Sequence, residues 1–143
     1  MTQVNRSALV LHSAQQMFDI VNDVLAYPDF LPWCANTELL FEDEQQMEAT
    51  LYLAKAGLKY SFTTHNSLVR PKKIELELVE GPFSQLSGHW TFEALSDEAC
   101  KVSLSLGFEF EGKLKNLAMS KVFNQVATTL VDAFVQRADA IYE

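Results

Sequence analysis

Residues 101–110 read Lys-Val-Ser-Leu-Ser-Leu-Gly-Phe-Glu-Phe, and this stretch does most to decide the fold. Large apolar side chains occupy every even position from Val102 to Phe110, while polar or small residues occupy the odd positions. Successive side chains of a β-strand point to opposite faces, so a period of two indicates a strand with one buried and one solvated face. Such a strand predicts an antiparallel sheet that needs a covering layer on one side.

The same period extends backwards to residue 37. Ile74, Leu76 and Leu78 alternate with two glutamates, which is an equally clear strand pattern. Weaker alternation marks four more segments, at residues 37–41, 47–55, 58–68 and 86–95. Turn signals separate the segments: Glu42-Asp43-Glu44, Ala56-Gly57, Arg70-Pro71, Gly81-Pro82 and Ser96-Asp97-Glu98. With residues 4–12 as a first strand, the sequence predicts seven strands, the last six joined consecutively as a meander.

Helical patterns flank the predicted meander. Ser13 is a predicted N-cap, and Gln16 three residues later completes a capping box. The helix that follows is expected to end at Pro28, since proline disfavours helical geometry in the residue before it. Its predicted apolar face contains four residues: Met17, Val21, Val24 and Leu25.

The last 30 residues return to helical spacing and form one broad apolar stripe. The stripe consists of Leu117, Phe123, Val126, Ala127, Leu130, Val131, Phe134, Ala138 and Ile141. We therefore expect an α+β fold in a single domain over residues 1–143. A seven-stranded curved antiparallel sheet surrounds the long C-terminal helix, and one or two short helices follow the first strand.

A helix that lies against a strongly bent sheet contacts it at both ends and leaves space in the middle. The sequence thus predicts an internal hollow, although its large inward residues could equally fill the space as a solid core. Both alternatives stay open at this point.

The net charge of −8, with 19 acidic and 11 basic residues, disfavours general nucleic-acid binding, and no DNA partner is expected. The basic residues nevertheless cluster in two places, which indicates either solvated surface or a local anionic partner. The clusters are Arg70, Lys72 and Lys73, and near the start of the last helix Lys113, Lys115 and Lys121.

The chain begins without the apolar core of a secretory signal, and no stretch approaches the roughly 20 apolar residues of a membrane span. We therefore expect a cytoplasmic protein. In that reducing compartment Cys34 and Cys100 are expected to be free, buried thiols.

No pattern of catalytic residues is present in the sequence. The histidines, His12, His65 and His89, have no partner at metal-ligand spacing, and there is no Gly-x-Ser-x-Gly elbow. The five glycines form no phosphate-binding loop. The sequence predicts no metal site, no catalytic residue and no enzymatic activity.

The segment Tyr27-Pro28-Asp29-Phe30-Leu31-Pro32-Trp33-Cys34 is the most unusual in the chain. Two prolines make it stiff and three aromatic residues make it apolar, so these rings must pack on the protein or contact a ligand. Four shorter motifs accompany it: Val21-Asn22-Asp23-Val24, Lys55-Ala56-Gly57, Phe62-Thr63-Thr64 and Glu80-Gly81-Pro82-Phe83.

Together these motifs resemble the coenzyme-Q-binding START-like family, part of the polyketide cyclase/dehydrase and lipid-transport superfamily. The resemblance covers essentially the whole chain and is greatest to the bacterial ribosome-association toxins. It implies a helix-grip fold whose cavity binds ubiquinone or a similar polyprenyl lipid without catalysis, in support of respiration. The alternative that it implies is a toxin that binds the large ribosomal subunit and blocks subunit joining.

For the lipid interpretation, a mostly apolar pocket with few polar contacts is required. Phe30 and Trp33 would form a lid over one end, and a transient contact with a membrane surface is expected there. Ubiquinone would be a bound ligand and no other cofactor is expected. The remaining candidate ligand-binding residues are Leu76, Leu78, Trp90, Phe92, Leu104, Leu106, Phe108, Phe123, Val126 and Leu130. For the ribosomal interpretation, the two basic clusters would supply the contacts.

Overall fold

The computed structural model describes residues 2–112 and 116–142 of the chain. The predicted order of strands and helices is confirmed. In chain order the elements are β1 (Thr2–Val10), α1 (Ala14–Asn22), a 3₁₀ turn (Val24–Ala26), α2 (Tyr27–Phe30), β2 (Cys34–Glu42), β3 (Gln46–Lys55), β4 (Leu58–Val69), β5 (Lys73–Glu80), β6 (Phe83–Ser96), β7 (Ala99–Phe110) and α3 (Asn116–Ile141).

The seven strands form one sheet in the order β1-β7-β6-β5-β4-β3-β2, and every neighbouring pair is antiparallel. The predicted curved antiparallel sheet is therefore confirmed. Its best-predicted strand, β7, buries all of its even residues from Val102 to Phe110. Because hydrophobic burial is the main stabilising term in folding, this inward row holds the covering helix against the sheet.

Helix α3 has 26 residues, so it is about 40 Å long and crosses the concave face of the sheet. It contacts β1 and β7, and α1 packs against it as well. Most of the predicted stripe is buried, but Leu117 and Ile141 are 74% and 48% exposed. Both lie at an end of the helix, where the stripe faces solvent instead of the sheet.

Strand β1 was expected at residues 4–12 but runs from Thr2 to Val10. Its ladder with β7 extends from Thr2 opposite Phe108 to Val10 opposite Cys100. The chain leaves the sheet after Val10, and Leu11 is 87% exposed. The apolar residues at the end of this segment therefore extended the predicted strand two residues beyond its observed end.

The predicted helix after Ser13 is shorter than expected. Its capping box is confirmed, because Ser13 Oγ accepts from the Gln16 backbone and Gln16 Oε1 accepts from the Ser13 backbone. However, α1 ends at Asn22, and Leu25 lies in the 3₁₀ turn with 58% exposure. Pro28 stands in the first turn of α2 and not at a helix end, since a missing N–H is tolerated in that turn.

Two groups of aromatic rings lie between α3 and the sheet, near opposite halves of the helix. Around Phe123, ring centroids lie 4.7 Å from Phe108, 5.1 Å from Phe83 and 5.8 Å from Phe62. Around Phe134, centroids lie 5.3 Å from both Trp90 and Tyr27. These groups support the helix at two places along its length.

Among the helices in the described part of the chain, none combines the length and the apolar content that crossing a bilayer requires.

Candidate ligand cavity and basic surface

An internal cavity of about 90 Å³ lies between α3 and the concave face of the sheet. Val126 and Leu130 line it from the helix, and Phe123 and Phe134 flank them in the sequence. The sheet and the segment before β2 provide the remaining wall: Val24, Tyr27, Trp33, Ala49, Leu51, Phe62, Thr64, Asn66, Leu76, Leu86, Trp90 and Leu106. A hollow is therefore present between helix and sheet, but at about 90 Å³ it is smaller than the hollow for a quinone headgroup that the sequence predicted.

The volume of this cavity limits what it can hold. Small-molecule pockets measure about 300–1,000 Å³, and an apolar cavity of about 150 Å³ accepts benzene. At 90 Å³ the cavity is smaller than either. A quinone headgroup enters only if α3 or the lining side chains move apart.

The structure brings part of the predicted ligand-binding set together at the cavity. Seven predicted residues line it: Trp33, Leu76, Trp90, Leu106, Phe123, Val126 and Leu130. Five do not: Phe30, Leu78, Phe92, Leu104 and Phe108. Phe92 packs instead on Phe18 of α1 at 5.7 Å, and Phe108 lies against Phe123 in the aromatic group. An inward-facing position on a strand was therefore not enough to predict that a residue lines the cavity.

Phe30 and Trp33 do not form a common lid. Trp33 is 6% exposed and its backbone oxygen accepts from the Ala54 amide, so it is a core residue that also lines the cavity. Phe30 lies on the outer side, where its ring contacts Phe134 at 5.6 Å. The guanidinium of Arg137 stands 4.9 Å from the centre of the Phe30 ring. Phe30 thus belongs to an outer groove along α3.

Two polar residues of β4, Thr64 and Asn66, were missed by the sequence analysis and line the cavity. Thr64 Oγ1 donates to Asn66 Oδ1 at 3.0 Å, and Asn66 Nδ2 reaches Met47 Sδ at 3.9 Å. Asn66 is only 6% exposed. A polar residue at an inward-facing strand position was the signal that could have identified it.

The cavity has almost no acid–base capacity. Among its described lining residues, Tyr27 is the one with a titratable side chain. Its hydroxyl donates to the Val21 backbone oxygen, and burial raises the pKa of Tyr27 far above its usual range. The phenol therefore stays neutral and serves as a structural hydrogen-bond donor.

None of the histidines or cysteines is among the described lining residues. His12 pairs with Asp139 at 2.6 Å, joining the segment before α1 to α3, and His65 lies 3.4 Å from Glu48. Cys34 and Cys100 are free and buried, as predicted. Burial raises the pKa of the Cys34 thiol to about 11, against a smaller lowering by the backbone of Asn36.

The two predicted basic clusters lie at different ends of the sheet. Arg70, Lys72 and Lys73 surround the β4–β5 turn, while Lys121 stands in the first part of α3, after the end of β7. Lys113 and Lys115 fall outside the described residues. The described members of the two clusters therefore do not form one surface.

The described basic residues differ in how far they are already engaged. Arg70 Nε donates to the Glu44 backbone oxygen at 3.1 Å and its guanidinium lies 5.1 Å from the Phe18 ring centre. Lys73 pairs with Glu75 at 2.8 Å. Lys72 and Lys121 are exposed and, within residues 2–112 and 116–142, have no ion-pair partner.

Comparison with known proteins places the chain among two kinds of relative. It is 47% identical over 141 residues to the ribosome association toxin RatA of Pseudomonas aeruginosa, covering 99% of this chain and 98% of that protein. It is 26% identical over 135 residues to the mitochondrial coenzyme Q-binding protein COQ10 of Drosophila melanogaster, covering 92% of this chain and 56% of that protein. These relatives are named as a toxin and as a binding protein.

Solved structures share the fold. The Zhui aromatase/cyclase from Streptomyces sp. R1128 superposes with a TM-score of 0.84 at 20% identity, covering 96% of this chain and 93% of that one. A START superfamily protein from Mycobacterium smegmatis gives 0.81 at 19% identity, with 97% and 98% covered. Such identities show the architecture and carry no activity across. The family model for polyketide cyclase / dehydrase and lipid transport matches residues 10–135, and the chain belongs to that family.

Proposed function

We propose that this chain associates with the large ribosomal subunit in the cytoplasm and blocks its joining with the small subunit. The observation that carries the proposal is the 47% identity, over 99% of the chain, to a protein named ribosome association toxin. The sequence alone favoured a quinone carrier, but the relatives support the ribosomal alternative better.

A steric block needs a complementary surface and no chemical step. The cavity lining offers no nucleophile beside a base among its described residues, which supports a non-enzymatic role. The net charge of −8 repels the negatively charged ribosomal RNA at long range, so any contact with RNA must be made by a local group of basic residues. Lys72 and Lys121 are the described candidates from the two basic clusters that can approach a phosphate without first breaking an ion pair.

Sedimentation tests this proposal directly. Purified large and small subunits are mixed with increasing amounts of the protein and separated on a sucrose gradient. We expect the protein to sediment with the large subunit and the fraction of joined ribosomes to fall. Ribosomes joined before the protein is added should be less affected. If the protein stays at the top of the gradient while joining proceeds normally, the proposal is wrong.

We propose a second function, binding of a small apolar molecule in the internal cavity. The cavity itself supports it, because most of its wall is apolar. The coenzyme Q-binding name of one relative makes a polyprenyl quinone the first ligand to test.

Trp33 and Trp90 both line the cavity, so a short-tailed quinone that enters should quench their fluorescence saturably. Mass spectrometry of lipids extracted from gently purified protein should find a bound apolar molecule. Absence of both signals would contradict the second function and leave the ribosomal proposal untouched.

A further inference from the structure

Two polar side chains of the cavity wall lie side by side on one strand. Thr64 and Asn66 are neighbours on the inward face of β4, and the other polar groups of the wall are the Tyr27 hydroxyl and the indole N–H groups of Trp33 and Trp90. Register places Asn66 between Met47 of β3 and Leu76 of β5. Since β4 pairs on both sides, its backbone holds this polar pair at a fixed place in the wall.

The hydrogen bonds of these side chains leave one N–H group of Asn66 without an acceptor. Tyr27 commits its hydroxyl proton to Val21, and Thr64 commits its own to Asn66 Oδ1. Asn66 Nδ2 carries two N–H groups, and its one contact is the Met47 sulfur at 3.9 Å. A thioether is a weak acceptor. The described residues 2–112 and 116–142 supply no acceptor for the other N–H.

A buried donor without a partner costs the folded protein the desolvation of that group. Asn66 is more than nine-tenths buried, so bulk water does not satisfy it. A single trapped water needs two to four polar partners, whereas a ligand oxygen needs only this one donor. The arrangement is explained if a bound molecule supplies the missing acceptor.

We infer that Asn66 is the polar anchor of the cavity and donates a hydrogen bond to a carbonyl-type oxygen on an otherwise apolar ligand. Thr64 orients the anchor by holding the amide oxygen, which turns the amide nitrogen away from the Thr64 hydroxyl. The cavity thereby selects apolar molecules with an acceptor oxygen over plain hydrocarbons. This inference rests on the second function proposed above and not on the ribosomal one.

The test compares two probes of nearly equal shape, cyclopentanone and methylenecyclopentane, which differ in whether oxygen or CH₂ completes the double bond. Both are titrated into the wild-type chain and into Asn66→Leu, which keeps the branching but removes the amide. Binding is followed through the methyl NMR signals of Val126 and Leu130, which line the cavity. Thr50→Val is the matched control, because its hydroxyl pairs with Thr63 on the other face of the sheet.

We expect Asn66→Leu to weaken ketone binding by about two- to tenfold relative to alkene binding, the range of one net hydrogen bond. Comparing ratios cancels the different hydration of the two probes. In the wild-type chain, the Asn66 side-chain amide signal should shift with the ketone and not with the alkene. That second measurement needs no variant, so it stands even if Asn66→Leu fails to fold.

Three outcomes overturn the inference. The first is equal weakening of both probes by Asn66→Leu, and the second is an Asn66 amide signal that ignores the ketone. The third is a ketone-selective loss in Thr50→Val as large as in Asn66→Leu. If the wild-type chain binds neither probe, the second function itself fails, and that result is distinguishable from the other three.

Discussion

Trp33 and Phe30 lie three residues apart in the same stiff segment but have different surroundings. Trp33 is in the core and lines the cavity, whereas Phe30 is half-buried between Phe134 and Arg137 on the outer side of α3. Truncation of a buried Trp removes many contacts and leaves a void, while truncation of a half-buried Phe exposes its neighbours to water. Two aromatic residues of the same segment therefore contribute unequally to the free energy of unfolding.

The first prediction uses this contrast. Trp33→Ala should lower the free energy of unfolding by about 3–5 kcal/mol. Phe30→Ala should lower it by about 1–2 kcal/mol, from partial burial and the lost Arg137 contact. Urea unfolding followed by circular dichroism measures both. A smaller loss for Trp33→Ala than for Phe30→Ala would show that Trp33 is a cover over the cavity and not part of the core.

The second prediction concerns the Cys34 thiol, whose pKa burial raises to about 11. At pH 8 only roughly one molecule in a thousand then carries the reactive thiolate, against about a quarter for an ordinary thiol. The native chain should react with a disulfide reagent at least a hundredfold more slowly than the chain in urea. Rapid labelling of the native Cys34 at pH 8 would contradict the raised pKa.

The sign of the linked stability change follows from the same shift. The unfolded chain ionises Cys34 at an ordinary pKa, while the folded chain keeps it protonated to about pH 11. This contribution to stability is complete below the unfolded pKa and is lost as the pH rises through the folded one. Burial raises the pKa of Tyr27 and Tyr60 as well, so their contributions change in the same direction.

At the scale of the elements, α1 depends on its start. Ser13 and Gln16 satisfy each other's backbone donors in a capping box, and the helix buries Met17 and Phe18 completely. The third prediction is that Ser13→Ala lowers the free energy of unfolding by about 1 kcal/mol. Ser7→Ala is the control, because Ser7 is an exposed residue of β1, and it should change the free energy of unfolding by less than about 0.5 kcal/mol. Equal effects of the two variants would mean that the cap contributes nothing specific.

The fourth prediction tests the basic surface in two of these elements. Lys121→Gln in α3 and Lys72→Gln in the β4–β5 turn should each weaken association with large subunits if they contact phosphates. Each should also reduce the slope of log affinity against log salt by about one. Gradients run at several salt concentrations provide the measurement. Lys101→Gln is the matched control, because Lys101 is an exposed lysine of β7.

Unchanged affinity and salt slope in both variants would remove Lys72 and Lys121 from the proposed interface. A loss in Lys101→Gln equal to theirs would instead indicate a general charge effect. Either result would leave Lys113 and Lys115 as the candidates still to be tested.

The elements were predictable where one physical signal dominated. β7 alternates without exception between Val102 and Phe110, and the Ser13 cap uses a local rule, so both emerged from the sequence alone. The break between α1 and α2 could not be predicted in this way, because a proline is found both after the end of a helix and in the first turn of the next one. Tertiary contacts decide between these two uses.

For the site, the sequence predicted that the apolar faces of α3 and the sheet pack together, but not where a cavity remains between them. Val126 and Leu130 line the void because the rings at Phe123 and Phe134 support the helix on either side of them. That spacing depends on ring orientation and on the curvature of the sheet, which no local pattern encodes. Asn66 was not predicted for another reason. A polar residue at an inward position weakens the alternation of apolar and polar residues by which an inward face is identified.

At the scale of the whole molecule, the two proposed functions use different parts of the fold. Ribosome association needs exposed surface, and ligand binding needs the space beneath α3. Most of the cavity wall is buried, and the described candidate lysines, Lys72 and Lys121, are not among its lining residues. One substitution inside the cavity should therefore separate the two functions.

The fifth prediction is made for Ala49→Leu. Ala49 is 3% exposed on β3 and lines the cavity, so leucine would place three more carbon atoms in the void. Burial of each carbon contributes about 0.8 kcal/mol, and overpacking costs about 1–3 kcal/mol, so the two effects should nearly cancel. Quinone quenching should fall at least tenfold while sedimentation with large subunits is unchanged. Ala140→Leu, exposed on α3, should alter neither. A parallel loss of both activities in a folded Ala49→Leu chain would mean that the filled cavity controls the ribosomal surface, because the substitution reaches no exposed residue directly.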